Sequence, residues 1–189
     1  MSLTAFVGYT GTLLYLVSHA YVSLKPAFNP RYYFSGNLVA ATALVVSSSA
    51  LFSWQAVCTN LFWALVSLQR LRGAPMPASV MLKAHFQRFS RVLVIALLIL
   101  LVISVWVQPL LAISLLAWSS VAIFSVVYLL FAAGELDKKH YMWLNFAAAI
   151  IIMPQLWLDL NFPVLLLESC WAIVSLYGAL RSNRATQLI

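Results

Sequence analysis

Charge is what this sequence has least of. Only 8% of its 189 residues are Asp, Glu, Lys or Arg, against 64% hydrophobic, and the mean hydropathy is +0.97. So little polar surface cannot solvate a globule of this size, which excludes a water-soluble enzyme or binding domain and makes the chain a polytopic membrane protein. The long apolar runs also lack strict polar/apolar alternation. Because lipid offers backbone groups no partners, only helices or closed barrels span it, and without alternation the spans are helices. The two cysteines, Cys58 and Cys170, fall inside expected spans and read as small core hydrophobes, not as a disulfide framework. No basic stretch precedes the first apolar run, so a cleavable leader is not expected. Metal-ligand spacings and phosphate-binding glycine motifs are missing, so neither a metal nor a cofactor is expected, and nucleic acid is not an expected partner.

What the chain does have is an internal repeat. Residues 37–68 align without a gap on residues 145–176 at a constant offset of 108, with Asn37/Asn145, Ala40/Ala148, Ala41/Ala149, Trp63/Trp171 and Ser67/Ser175 among the identities. Apolar chains match by accident, but paired asparagines, paired tryptophans and a shared Trp-Ala-(Leu/Ile)-Val-Ser-Leu tail are hard to obtain from composition alone. An internal duplication of this kind governs how everything else is read.

Spans are expected at residues 4–24, 34–52, 55–69, 92–107, 110–131, 141–158 and 164–180. Residues 34–69 carry no charge, and at about 1.5 Å per residue across about 30 Å of hydrocarbon they are two helices. The turn Asp159-Leu160-Asn161-Phe162-Pro163 in the second copy places the hidden break of the first at Leu51 to Gln55. Gln108-Pro109 separates the fourth and fifth spans, since proline cannot continue a helix. Residues 70–91 form a basic loop with Lys83, His85, Arg88 and Arg91, expected to rest on anionic headgroups. With seven spans, all eleven Lys and Arg fall on one side and Asp159 on the other, which puts the N-terminus outside and the C-terminus in the cytoplasm. Two three-helix units in the same direction need one helix between them. The expected organisation is therefore a first bundle in 1–70, a loop and linker helix in 71–109, and a second bundle in 110–189.

This 3+1+3 pattern of parallel repeats resembles the superfamily of SWEET sugar facilitators, PQ-loop proteins and nicotinamide riboside transporters of the PnuC type. It is also similar to small bacterial membrane proteins that share the Asn…Trp-Ala half-repeat. The resemblance implies a transporter of the bacterial inner membrane, with substrate bound near the midplane between the repeats. Pro154-Gln155 matches the two-letter PQ signature, although it lies on the second helix of the second unit and its counterpart in the first is Val46-Ser47. In the SWEET facilitators an asparagine pair on the third and seventh helices lines the pocket. Asn60 resembles one member, and Glu168 stands where the other would be. A retinal protein is excluded because the last span has no lysine for a Schiff base.

A charge inside lipid costs about 2.5–3.5 kcal/mol on insertion scales, so Glu168, the only acid within an expected span, needs a reason to be there. It reads as a substrate or proton-coupling site, or else as a hydrogen-bonded tie within one bundle. Glu168, Trp171 and Ser175 share a helical face, as do Asn60, Trp63 and Ser67, and the two faces are expected to meet across a cavity. The tryptophans suit either ligand stacking or packing. Gln155 is a pocket candidate and Pro154 a hinge candidate. Asn37 and Asn145 are expected to make structural helix–helix hydrogen bonds. Tyr21, Trp54, Trp106, Tyr128, Tyr141 and Trp143, near span ends, read as interfacial belts. His19, His85 and His140 lie toward the opposite side from Glu168, so no Ser/His/acid constellation forms. The expected partners are a small-molecule substrate and the bilayer, with a homo-oligomer or a membrane partner subunit left open. A non-transporting accessory or receptor subunit is the rival reading.

Overall fold

The computed structural model describes residues 2–25, 28–73, 102 and 105–186. All regular structure among the described residues is helical, in six main helices: α1 (Leu3–Leu24), α2 (Pro30–Ala50), α3 (Trp54–Leu71), α4 (Pro109–Ala132), α5 (Lys138–Leu158) and α6 (Phe162–Thr186). The expected linker helix and the basic loop lie outside the described residues, except for residues 70–73, 102 and 105–107.

Among the described residues, three helices are long and apolar enough to cross a membrane: α4, α5 and the Phe162–Arg181 stretch of α6, with hydropathies of 2.3, 1.4 and 1.6. The first unit is more dilute. In α2, Ser35, Asn37, Thr42 and the run Ser47 to Ser49 interrupt the apolar sequence.

Local chemistry sets the helix ends. The Asn29 side chain accepts the Arg31 N–H at 2.9 Å ahead of Pro30, and Asp137, its counterpart at the repeat offset, accepts the His140 N–H at 3.0 Å. Each carboxyl or amide oxygen satisfies a donor that the first helical turn leaves without a partner. Pro109 opens α4, where its missing N–H is not needed.

The two short turns are copies of one another. The Ser53 N–H reaches the Ser48 carbonyl at 3.1 Å, and the Asn161 N–H reaches that of Leu156 at 3.0 Å. One residue earlier, Phe52 N–H bonds Ser49 and Leu160 N–H bonds Trp157, both at 3.2 Å. This is the Schellman closure, and its left-handed residue is not glycine in either copy: Phe52 has φ 53° and Leu160 φ 52°. α2 thus ends at Ala50 and α3 begins at Trp54, within the break that the repeat offset places at Leu51 to Gln55.

Within each unit the middle helix packs on both neighbours, α1/α2/α3 and α4/α5/α6. Between units, α3 packs on α4 and α6 on α1, less extensively, so six helices close a ring. Small side chains allow the close approaches that membrane helices need. The duplicated Ala40, Ala41, Ala148 and Ala149 are fully buried. At Gly11 an added Cβ would lie 3.0 Å from the Ala40 carbonyl oxygen and from Ala43.

Candidate site between the two repeats

At the centre of the ring, where the two units face each other, lies a cavity of about 20 Å³, room for about one water. The third helix of each unit supplies one wall. From α3 come Thr59, Asn60 and Trp63, and from α6 come Leu167, Glu168 and Trp171, so Asn60/Glu168 and Trp63/Trp171 oppose each other as repeat-related pairs. Tyr15 of α1 and Phe124 of α4 complete the described lining. The rings interlock edge to face. Tyr15 stands 5.6 Å from Trp63 and 5.8 Å from Trp171, the tryptophans are 5.3 Å apart, and Phe124 is 6.1 Å from Trp63.

Among the described residues, three that line the cavity each carry a buried polar atom without a hydrogen-bond partner: Tyr15 Oη, Trp63 Nε1 and Glu168 Oε2. Their residues are only 2%, 3% and 7% exposed. Such atoms are scarce in folded proteins, because each carries a desolvation penalty of about 1–3 kcal/mol. Asn60 and Thr59 are partly satisfied within their own helix, donating to the Ala56 and Gln55 carbonyls at 2.8 and 3.0 Å.

The tryptophans are held from behind by matching devices. Tyr128 of α4 stacks on Trp63 at 4.0 Å and its hydroxyl lies 2.9 Å from Ser67 Oγ. His19 of α1 stacks on Trp171 at 3.5 Å and its Nε2 lies 2.9 Å from Ser175 Oγ. In each case the first helix of one unit supplies an aromatic plate to the third helix of the other. Ser67 and Ser175 serve these plates and do not line the cavity.

Hydrogen bonds between units close both ends of the ring. Toward the helix ends that carry Lys25 and Lys138, the Tyr33 and Tyr141 hydroxyls meet at 3.0 Å, and Asn37 Nδ2 donates to Tyr128 Oη at 2.9 Å. At the two copied turns, Ser53 Oγ donates to Asp159 Oδ2 at 2.6 Å, Asn161 Nδ2 to Ser48 Oγ at 3.1 Å, and Thr12 Oγ1 to the Pro163 carbonyl at 2.7 Å.

Several sequence-based expectations acquire definite places. Asn145 Oδ1 accepts from Trp171 Nε1 at 3.0 Å within the second unit. Its counterpart Asn37 turns instead to Tyr128 in the other unit, leaving both Asn37 Oδ1 and Trp63 Nε1 without partners. Gln155 does not line the cavity; it donates to Asp159 Oδ1 at 2.7 Å, beside the turn. Pro154 is exposed inside α5 and away from the cavity.

Tyr128 and Tyr141 are not belt residues, as their positions near span ends suggested, but are completely buried, because their hydroxyls find partners in the other unit. Cys58, expected in the core, is exposed on the outer face of α3. His19 is fully buried against Trp171. Tyr15, Phe124 and Thr59 had no signal in the sequence. Tyr33/Tyr141 did have one, being identical at the offset of 108 just outside the aligned window.

One protein-family model, that of an uncharacterised family, matches residues 4–74 and 113–186. No curated protein and no solved structure matches the chain.

Proposed function

The chain belongs to that uncharacterised family, whose match covers both three-helix units, and we propose that it is an inner-membrane transporter moving a small polar metabolite by alternating access between parallel repeats. In this reading seven helices span the bilayer, with the N-terminus outside, the C-terminus in the cytoplasm and the copied turns at the outer face. The carrying observation is that Tyr15, Trp63 and Glu168, each with a buried polar atom that has no hydrogen-bond partner, line one cavity between repeat-related walls. Unsatisfied polar groups of this kind are retained where a ligand completes them. Two further features support the reading. Packing within each unit exceeds packing between units, which suits rigid-body rocking, and the cross-unit bonds at both ends correspond to an occluded state.

The substrate-binding set is Asn60, Trp63, Glu168 and Trp171, with Tyr15 added. Uptake into proteoliposomes tests it: Glu168→Gln and Asn60→Ala are expected to lose transport while remaining folded, and full uptake by both would overturn the site. A native rate that varies with pH and becomes flat in Glu168→Gln identifies Glu168 as the proton-coupling group. The size of the cavity favours the rival reading, an accessory subunit whose core is simply filled. A stoichiometric membrane partner recovered in mild detergent, together with absent uptake, would decide for it.

A further inference from the structure

Resting on the transport reading for its site but not for its test, we infer that the central cavity binds a small molecule through a primary ammonium group flanked by a hydroxyl or carbonyl oxygen. Charge gives the first half. Glu168 presents an unpartnered carboxyl oxygen, and none of the described lining residues is Lys, Arg or His. As an anion Glu168 has no compensating charge in this burial; an ammonium ligand supplies one, and an anionic ligand would add to the penalty. Four of the lining residues are aromatic, Tyr15, Phe124, Trp63 and Trp171, and aromatic faces attract cations and repel anions.

Hydrogen-bond inventory gives the second half. Trp63 lines the cavity and its indole N–H, a donor only, is unpartnered, so a ligand that brings an acceptor as well as a cation can satisfy it. Tyr15 Oη, which both donates and accepts, serves either group. A quaternary ammonium has no N–H to give Glu168, which makes a primary ammonium the better match. Size agrees, since a cavity of about 20 Å³ admits a water-sized headgroup such as an ammonium. The remainder of the ligand is accommodated when the two units separate.

The test is equilibrium binding to the full chain in detergent, read by melting temperature and calorimetry, with ethanolamine, methylamine, tetramethylammonium, glycerol and propionate as probes. Ethanolamine is expected to bind and to raise the melting temperature. Tetramethylammonium should bind more weakly, and glycerol and propionate should not bind. Glu168→Gln should weaken ethanolamine about tenfold or more, the worth of a hydrogen bond to a charged group. Trp63→Phe keeps the ring but removes the N–H, so it should weaken ethanolamine more than methylamine, which has no oxygen. It serves as the second variant should Glu168→Gln fail to fold.

The inference is overturned if native protein binds no ethanolamine, if glycerol or propionate binds in its place, or if a well-folded Glu168→Gln binds ethanolamine as tightly as native protein. It is equally overturned if Trp63→Phe weakens both amines alike. Ammonium binding without flux in proteoliposomes would remove the transport reading and leave this one standing. Flux of a neutral metabolite without ammonium binding would do the reverse.

Discussion

Tyr33 and Tyr141 stand 108 residues apart in the chain and 3.0 Å apart at their hydroxyls. Residues related by the duplication thus touch each other across the axis that relates the two units. A self-pairing of this kind arises only where equivalent positions of both copies face the axis, so the bond marks the pseudo-two-fold. Tyr141 stacks on Phe131 at 4.0 Å and Tyr33 stands edge-on to Phe131 at 6.3 Å, which buries the pair among aromatic rings.

Removing one of these hydroxyls strands the other. Tyr33→Phe and Tyr141→Phe are each expected to destabilise the protein by about 1–3 kcal/mol. The double variant should be no less stable than either single one, because no stranded hydroxyl remains. Reversible unfolding in mixed micelles measures the cycle, and additive losses would show that the two hydroxyls do not interact.

The copied turns place Phe52 and Leu160 in the left-handed region, at φ 53° and 52°, where a side chain is strained by about 1–2 kcal/mol. Phe52 and Leu160 are 74% and 62% exposed, so little packing opposes relief of that strain. Phe52→Gly and Leu160→Gly should therefore each raise the melting temperature. A fall in both would show that these apolar tips hold the turns in place through contacts with the bilayer.

These turns also show how far the sequence could be read. The offset of 108 located the first turn although hydropathy ran straight through it, because the second copy wrote the same turn in Asp, Asn and Pro. The offset likewise brought Asn60 opposite Glu168 and Trp63 opposite Trp171, since a shared helical face is a property of spacing. What spacing cannot give is the contribution of the first helices. Tyr15 and Phe124 are not equivalent positions, and nothing in the sequence distinguishes them from other aromatics in apolar spans. The burial of Tyr128 and Tyr141 is not legible in the sequence for a related reason: distance from a span end says nothing about which side of a helix faces the other unit. The burial of His19 is equally illegible, because its stacking on Trp171 is set by the packing of α1 against α6.

Asn29 and Asp137 cap equivalent helices, but only one of them titrates. The His140 backbone N–H, followed by the hydrogen bond from the His140 ring, holds the Asp137 carboxyl below the usual aspartate range. A folded value below the unfolded one adds stability that is present above about pH 4 and lost as pH falls through the lower, folded value. Asp137→Asn keeps an N-cap of the kind Asn29 provides, so at neutral pH it should leave α5 capped and remove this part of the acid-side loss. The contribution is small because the carboxylate is exposed to solvent. Melting curves collected between neutral pH and about pH 3 would measure it, and identical acid slopes in the two proteins would rule out the cap as a source.

Ser53 and Asp159 tie the two turns together at 2.6 Å, and Gln155 holds the second oxygen of the same carboxylate at 2.7 Å. If the units rock, this link must break before the cavity opens on that side. Asp159→Ala should therefore shift the population toward a state open at the turns, leaving the Tyr33–Tyr141 end closed. Thr59→Cys, in a background with Cys58→Ala and Cys170→Ala, places a reporter thiol on the cavity wall. Loss of a charge-assisted hydrogen bond worth about 1.5–3 kcal/mol should speed labelling by an impermeant thiol reagent about tenfold or more. The acceleration is expected only when the reagent is added at the outer face, where the proposed orientation puts the turns. Acceleration only from the cytoplasmic face would reverse that orientation, and an unchanged rate from both faces would show that the Ser53–Asp159 bond latches nothing.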